Sequence, residues 1–464
     1  MNFGRSAALA LVIGGMTAAS AACSGTAPKP ASASSPASST TAASFPGTPA
    51  GIQARWLFGA ATHLPIPTAV VTAHFDQAFL AKVTPAQLNA VLAETKSLRL
   101  DAVTLSTPGA LEMTVTANGL TQLRVTIAVD SRGMISGLLL QPAGAPAALP
   151  PAPTTWAGVD RQVRAVAPQV RLLVAKVSGG TCQPVHAIDA TTPAPLGSAF
   201  KLYVLDTLAR AVAAGKVSWN QQLTVTSQVK SLPSGELQDQ PDGTRVTVRQ
   251  AAADMISASD NTAADMLITL LGRTAVEAAA AQTGMADPGR DVPFLTTREL
   301  FTLKLDDWPR LASRYLALGT AGRQAMLTEL DRVPYSTLTA LSSAVWTAPR
   351  DIDSLEWFAS PADVCRVYAS LDALARQPAL APVASVLEIN NGDLSLDPGQ
   401  WRSVWFKGGS EPGVLTLNYL ATTRSGQAYV VSVLAENPAA PIAQTSAELA
   451  LISAVKGAFE LAAR

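Results

Sequence analysis

A serine stands three residues ahead of a lysine at 198 and 201, where a helical pattern begins. In a helix that step puts the hydroxyl and the amine on one face. An uncharged amine there can take the hydroxyl's proton and make it a nucleophile for acyl transfer. Lysine becomes such a base when burial and nearby positive charge lower its pKa. The start of the helix adds backbone donors toward an oxyanion. The histidine route has almost no material: the chain holds His63, His74 and His186, and only His186 falls in its long C-terminal part. There is no His/Asp/Glu cluster with metal-ligand spacing and no Gly-rich phosphate loop, so no metal or other cofactor is expected. Alone, Ser198-Ala199-Phe200-Lys201 is a weak signal. Ser-x-x-Lys recurs at Ser227/Lys230 and Ser453/Lys456, and Ser198 by itself reads first as a helix cap.

Two further segments change that reading. Ser259-Asp260-Asn261 lies 61 residues after Ser198 (259 − 198), just before a helical run from Thr262 to Leu271. Lys407-Gly408-Gly409 follows an apparent strand, Val404-Trp405-Phe406. Each also has a plain structural role open to it: Asn261 as a helix cap, Asp260 as a scaffold residue, Lys407 as a solvated strand end. Taken in order, Ser-x-x-Lys, Ser-Asp-Asn and Lys-x-Gly form the three-part signature of active-site serine penicillin-recognising enzymes. The surrounding text, Pro195 to Leu202, Thr247 to Ala251 and Ser259 to Ala264, resembles class A β-lactamases. The resemblance runs from about Asp160 to Arg464, with the stretch between Phe301 and Trp401 poorly matched and enlarged.

The resemblance implies a role for each motif residue. Ser198 is acylated and Lys201 takes or relays its proton. Ser259 passes the proton toward the leaving group, and Asn261 holds a substrate carbonyl and the Lys201 side. Lys407 supplies positive potential to the substrate carboxylate and to Ser259, while the backbone N–H groups of Ser198 and of Ser410, which follows Gly409, form the oxyanion hole. Two departures bear on substrate. The Glu-bearing loop that activates the deacylating water in class A enzymes is shortened or missing. Pro293 to Leu300 aligns with the helix start beyond it, Asp287 and Asp291 lack the expected setting, and Glu299 reads as a helix-start residue. Gly408 replaces the usual Thr and so removes a hydroxyl that would bind a β-lactam carboxylate.

The elements that must position these groups follow from pattern. Residues 160–167 read as a helix, 171–177 and 185–188 as strands, and 201–375 as mostly helical, with Gly215 ending the helix that starts at Lys201. Strands return at 403–406, 414–421 and 429–434 before a last helix over 439–463. Strands at both ends point to one antiparallel sheet with a helical subdomain beside it, a β-lactamase/transpeptidase-like domain. Ahead of it, 45–141 reads as a small α+β unit. Thr84-Pro85-Ala86-Gln87 caps a helix whose apolar face is Leu88, Val91 and Leu92, and strand alternation follows at Leu111, Met113 and Val115 and at Leu123 to Val129. Helices before a curled sheet suggest a cone that looks like a steroid-isomerase-like domain. His74, between Ala73 and Phe75, reads as a packed helix histidine. The fold class is therefore α+β. The domains are a leader (1–22), a tether (23–44), the small unit (45–141), a Pro/Ala linker (142–155) and the large unit (156–464). This order is similar to that of serine hydrolases of clavulanic-acid gene clusters and related actinobacterial lipoproteins.

Composition fits an exported globular protein. Of 464 residues, 48 % are hydrophobic and 15 % charged, and 34 basic side chains balance 34 acidic ones, which gives no nucleic-acid surface. Arg5, the apolar run 7–16 and Ser20-Ala21-Ala22-Cys23 read as a secretory signal with a lipobox, so Cys23 is the expected lipidation site. A Ser/Thr/Ala/Pro tether behind it suits anchoring to the outer face of the cell membrane. Cys182 and Cys365 could pair there or stay as buried thiols. The leading functional reading is an esterase or weak β-lactamase acting on a small ester or β-lactam. The others are a cell-wall D-Ala-D-Ala carboxypeptidase or endopeptidase with a peptidoglycan-derived substrate, and a non-catalytic binding lipoprotein.

Overall fold

The computed structural model describes residues 44–464 apart from 96, 107–108, 119–120, 131, 143–148, 233, 341–345, 347 and 443. The leader, Cys23 and nearly all of the tether lie outside the described residues, as does the middle of the linker. Two compact units divide between residues 147 and 148.

The smaller unit carries helices α1 (Pro49–Ala60), α2 (Thr68–His74), α3 (Gln77–Leu80) and α4 (Pro85–Thr95). Strands β1 (Leu98–Ser106), β2 (Ala110–Ala117), β3 (Thr121–Val129) and β4 (Ile135–Pro142) follow as one antiparallel sheet in sequence order. Thr84 and Gln87 exchange hydrogen bonds at the start of α4, and Leu88 and Leu92 are buried while Val91 is half-buried. Leu111, Met113 and Val115 are fully buried, the period-2 pattern of a one-sided sheet. His74 stacks on Trp56 at 3.6 Å between ring centres and shares a hydrogen bond with Gln53, a packed histidine as expected.

In the larger unit α5 (Trp156–Arg164) leads into β5 (Gln169–Ser178), β6 (Thr181–Ile188) and the short β7 (Ala194–Pro195). Helix α5 starts four residues earlier than its periodicity suggests because the Thr155 hydroxyl accepts from Gly158 N and caps it. Then come α6 (Lys201–Ala213), the β8 (Gln222–Thr224) and β9 (Arg245–Thr247) pair, α7 (Val248–Ser257), α8 (Asn261–Leu271), α9 (Arg273–Gln282) and α10 (Thr297–Leu305). The poorly patterned stretch holds α11 (Arg310–Leu316), α12 (Thr320–Leu330), α13 (Tyr335–Ala340), β10 (Phe358–Ala359), α14 (Pro361–Ala375) and α15 (Pro382–Leu387). It ends in β11 (Trp401–Glu411), β12 (Val414–Thr423), β13 (Ala428–Glu436) and α16 (Gln444–Ala462).

The five-stranded sheet runs β11-β12-β13-β5-β6, all antiparallel, so strands from both ends of the unit meet at β13 and β5. Its central strands β12 and β13 are buried along their whole length, since helices cover both faces. Helices α5 and α16 pack one side; the other carries the large core around α6 and α14. Cys182 on β6 and Cys365 on α14 form a disulfide across that second side. The edge strand β11 is left free along one side to meet the turn that precedes α6.

Candidate active site

Ser198 does not lie on α6 itself but in a tight 3-10 turn, Gly197–Phe200, that feeds it. Three contacts fix the turn. Leu196 N donates to Trp357 O at 2.8 Å, the Thr416 hydroxyl donates to Leu196 O at 3.0 Å, and Phe200 stacks on Trp357 at 3.8 Å. Gly197 holds φ at +51°, and a side chain there would come within 2.9 Å of Ser410 N. From the other side, a Cβ at Gly409 would fall 2.7 Å from Ser198 N and 2.1 Å from Leu196 O. Glycine at both positions therefore lets the backbone of β11 close directly on the serine turn.

Ser259 sits just before α8 with φ at +56°, a left-handed conformation that costs a non-glycine residue roughly 1–2 kcal/mol. Asp260 holds it. One carboxylate oxygen caps α8 through Ala263 N at 2.7 Å, and the other accepts from Glu236 N at 2.7 Å and Leu237 N at 2.9 Å. The scaffold reading of Asp260 is thus the observed one, and the cap that Asn261 could have supplied belongs to Asp260. At Gly235 a Cβ would lie 2.2 Å from that carboxylate, so only glycine leaves room for it.

The strained turn presents two oxygens to Lys201. Lys201 is completely buried, and its Nζ lies 2.6 Å from Ser259 O, 2.6 Å from Asn261 Oδ1, and 3.1 Å from both Ser198 Oγ and Ser259 Oγ. The Asn261 amide is oriented by its Nδ2, which donates to Leu232 O at 3.0 Å. Burial, and then the Lys407 charge, push the Lys201 pKa well below its ordinary value, against weaker pulls from Asp260 and Asp265. Lys407 is not a solvated strand end: only 3 % exposed, it donates to Ser259 Oγ at 3.0 Å and Gly408 O at 2.8 Å, and burial lowers its pKa to about 7.

Hydrogen-bond capacity decides what Lys201 does here. A neutral amine has two protons and one lone pair. Ser259 O and Asn261 Oδ1 carry no proton, lie nearest, and so receive both N–H groups. The lone pair is left for a hydroxyl, Ser198 Oγ or Ser259 Oγ. In that state the amine can act as a base toward either serine; once protonated, it cannot.

All three motif segments line one cavity of about 560 Å³, with Ser198, Ser259, Asn261, Lys407 and Ser410 on its walls. Other expected or decoy residues lie elsewhere. His186 pairs with Asp160 at 2.6 Å and stacks on Trp156. Lys230 pairs with Asp242 at 2.9 Å, and Ser453 donates to Pro150 O at 2.5 Å. Glu299 is the third residue of a capping box on α10 and pairs with Arg273 at 2.6 Å, as a helix-start residue would. Asp291 accepts from Phe358 N at 2.9 Å in the core, and neither it nor Asp287 reaches the cavity. Among the described residues no group of three or more His, Cys, Asp or Glu is placed to hold a metal ion.

Sequence reasoning missed a second buried cluster against the cavity wall. Lys304 Nζ lies 2.6 and 2.8 Å from the Glu411 oxygens and 3.8 Å from Glu356. Glu356 in turn accepts from Gly197 N at 3.2 Å and Trp357 N at 2.9 Å, so this cluster also braces the serine turn. Burial raises the Glu411 pKa to about 8. A faint signal was present: Lys304 follows Leu300 and Leu303 on the apolar face of α10.

Residues 161–301 match the family model described as the beta-lactamase enzyme family, and residues 45–135 match one described as ORF 12 gene product N-terminal. No curated protein is significantly similar to the chain. Similar solved structures include a β-lactamase from Sphaerobacter thermophilus, 22 % identical, covering 66 % of this chain and 96 % of that one with a TM-score of 0.47. A β-lactamase from Chitinophaga pinensis is 16 % identical, covering 66 % and 98 % with a TM-score of 0.45. PBP-A, in a mutant form captured as an acyl-enzyme complex with penicillin G, is 16 % identical over 67 % and 99 %, with a TM-score of 0.44. The family match, with the sheet and flanking helices described here, gives the larger unit a β-lactamase/transpeptidase-like fold.

Proposed function

We propose that the larger unit is a serine acyl hydrolase that forms an acyl-enzyme on Ser198 and cleaves esters, with weak or no turnover of β-lactams. One observation carries this reading: an amine with a depressed pKa, in contact with no carboxylate among the described residues, lies 3.1 Å from each of two serine hydroxyls on the wall of an open cavity. A merely structural lysine in such a place would be paired with an acid.

In the proposed cycle Ser198 Oγ attacks the ester carbonyl as its proton passes to Lys201 Nζ. Charge that develops on the carbonyl oxygen is held by the backbone N–H groups of Ser198 and Ser410. Collapse breaks the bond to the leaving alcohol, which takes the proton from Lys201 through Ser259 Oγ, and Lys407 steadies that hydroxyl. Water then attacks the acyl-enzyme with Lys201 again as base, releasing the acid and restoring the serine. No carboxylate contacts Ser198 or Lys201 among the described hydrogen bonds, so deacylation rests on the amine and is slow. The leader, with lipidation at Cys23, supports placement on the outer face of the membrane, and the disulfide suits an oxidising compartment.

Ester kinetics and intact mass test the reading together. Incubation with a p-nitrophenyl ester should add one acyl group to wild type at Ser198 and none to Ser198→Ala, and hydrolysis should fall by about 10³-fold or more in that variant. Equal rates in the two proteins remove Ser198 from the chemistry. Rapid nitrocefin turnover would overturn the weak-lactamase part. Cleavage of peptidoglycan stem peptides would move the assignment to a carboxypeptidase.

A further inference from the structure

We propose that the cleft accepts neutral esters with an apolar acyl group and turns away acyl donors that carry a carboxylate, a substrate class that rests on the serine-hydrolase reading. The charges on its walls come first. Among the described residues that line the cavity Lys407 is the one cation; of the acids that line it, Glu356 and Glu411 are held with Lys304, and Glu448 stands apart from that cluster. Above its pKa of about 7 Lys407 is a neutral amine with both N–H groups engaged, by Ser259 Oγ at 3.0 Å and Gly408 O at 2.8 Å. Lys304 offers an anion nothing either, because it is sealed at 0 % exposure and held between Glu411 and Glu356.

The strand that would receive a carboxylate points the same way. Residue 408 has no hydroxyl, and a Cβ there would lie 2.8 Å from the Phe406 ring and 3.1 Å from Thr416 O, so the backbone is closely walled on that side. An anion laid along 408–410 would then find no free cation at the Glu411 end of the strand, where Lys304 is taken up by Glu411 and Glu356. A carboxylate desolvated in a cleft that offers it no free countercharge is strongly disfavoured. Elsewhere the walls are apolar: Ile256, Phe301, Trp346, Phe406, Leu415 and Leu417 all line the cavity. Such surface favours a hydrocarbon acyl chain, with each buried methylene raising kcat/KM by up to about fourfold.

The test compares p-nitrophenyl hexanoate with mono-p-nitrophenyl adipate, esters of equal chain length that differ by a terminal carboxylate. After correction for their hydroxide-catalysed rates, wild type should favour the hexanoate in kcat/KM by about tenfold or more. Glu448→Gln, on the exposed face of α16, should narrow that ratio severalfold by removing one negative wall. Equal rates, or a faster adipate, overturn the substrate class. Ser198→Ala separates the two claims: if it is inactive while wild type treats both esters alike, only the substrate class fails. If it hydrolyses hexanoate as fast as wild type, the serine reading itself fails.

Discussion

Lys201 and Lys304 are both completely sealed from solvent, yet their surroundings are opposite. Lys304 is clasped by the two oxygens of Glu411 at 2.6 and 2.8 Å with Glu356 behind it. Lys201 touches only uncharged oxygens, two of them carbonyl-type acceptors and two hydroxyls. Burial costs any ammonium heavily, and the two sites answer that cost differently. Around Lys304 the answer is countercharge, which makes the residue a brace. Around Lys201 it is a pKa pushed well below the ordinary lysine value, which suits the residue to the proposed role of base. A buried lysine is therefore read from its partners, not from its depth.

Substitution should split the two sites cleanly. Lys201→Met is expected to cut ester kcat by about 10²–10⁴-fold, the usual range for a lost general base, with a stability cost of only about 1–3 kcal/mol from Asn261 Oδ1 left unpaired, since Ser259 O keeps the Ser234 hydroxyl at 2.7 Å. Comparable activity in that variant would erase the distinction. Lys304→Met should do the reverse. It strands two buried carboxyls and should lower stability by about 3–5 kcal/mol in denaturant melts. A variant as stable as wild type would show that the cluster braces nothing.

Smaller effects sharpen the contrast. Lys407 is a cation below about 7 and neutral above it, so the proposed positive potential on Ser259 fades as pH rises through that value. Toward low pH, activity should fall as Lys201 gains its proton. Lys407→Arg keeps the charge and should carry activity to higher pH, tested about two units above the midpoint, where about one lysine in a hundred stays protonated. An unmoved alkaline limb would assign that limb to another group. At the bottom of the scale, Ser227→Ala and Ser453→Ala, in the other two Ser-x-x-Lys segments, should leave ester rates within about twofold because neither lies in the cleft.

Much of the candidate site was legible because it resides in short segments whose residue types are unusual together. Ser198/Lys201, Ser259-Asp260-Asn261 and Lys407-Gly408-Gly409 converge in one cavity. The terminal strands were legible too, since alternation and apolar runs survive at a sheet edge and centre. Lys304, Glu356 and Glu411 were not. Each comes from a different segment, and only tertiary folding turns three ordinary charged residues into one cluster. Glu356 belongs to the stretch after Phe301, where no motif announced a role. The placement of Ser198 in a 3-10 turn, and the need for glycine at 197 and 409, depend on how closely β11 approaches the turn, a distance no local pattern encodes.

The proposed mechanism depends most directly on the protonation state of Lys201. Carbon-13 labelling of lysine side chains, with the Lys201 resonance assigned by its absence in Lys201→Arg, allows its titration to be followed by NMR in the intact protein. A midpoint well below the ordinary lysine value, with the amine uncharged in the pH range of ester turnover, is the predicted result. A midpoint in the ordinary lysine range would leave Ser198 without its base and contradict the mechanism.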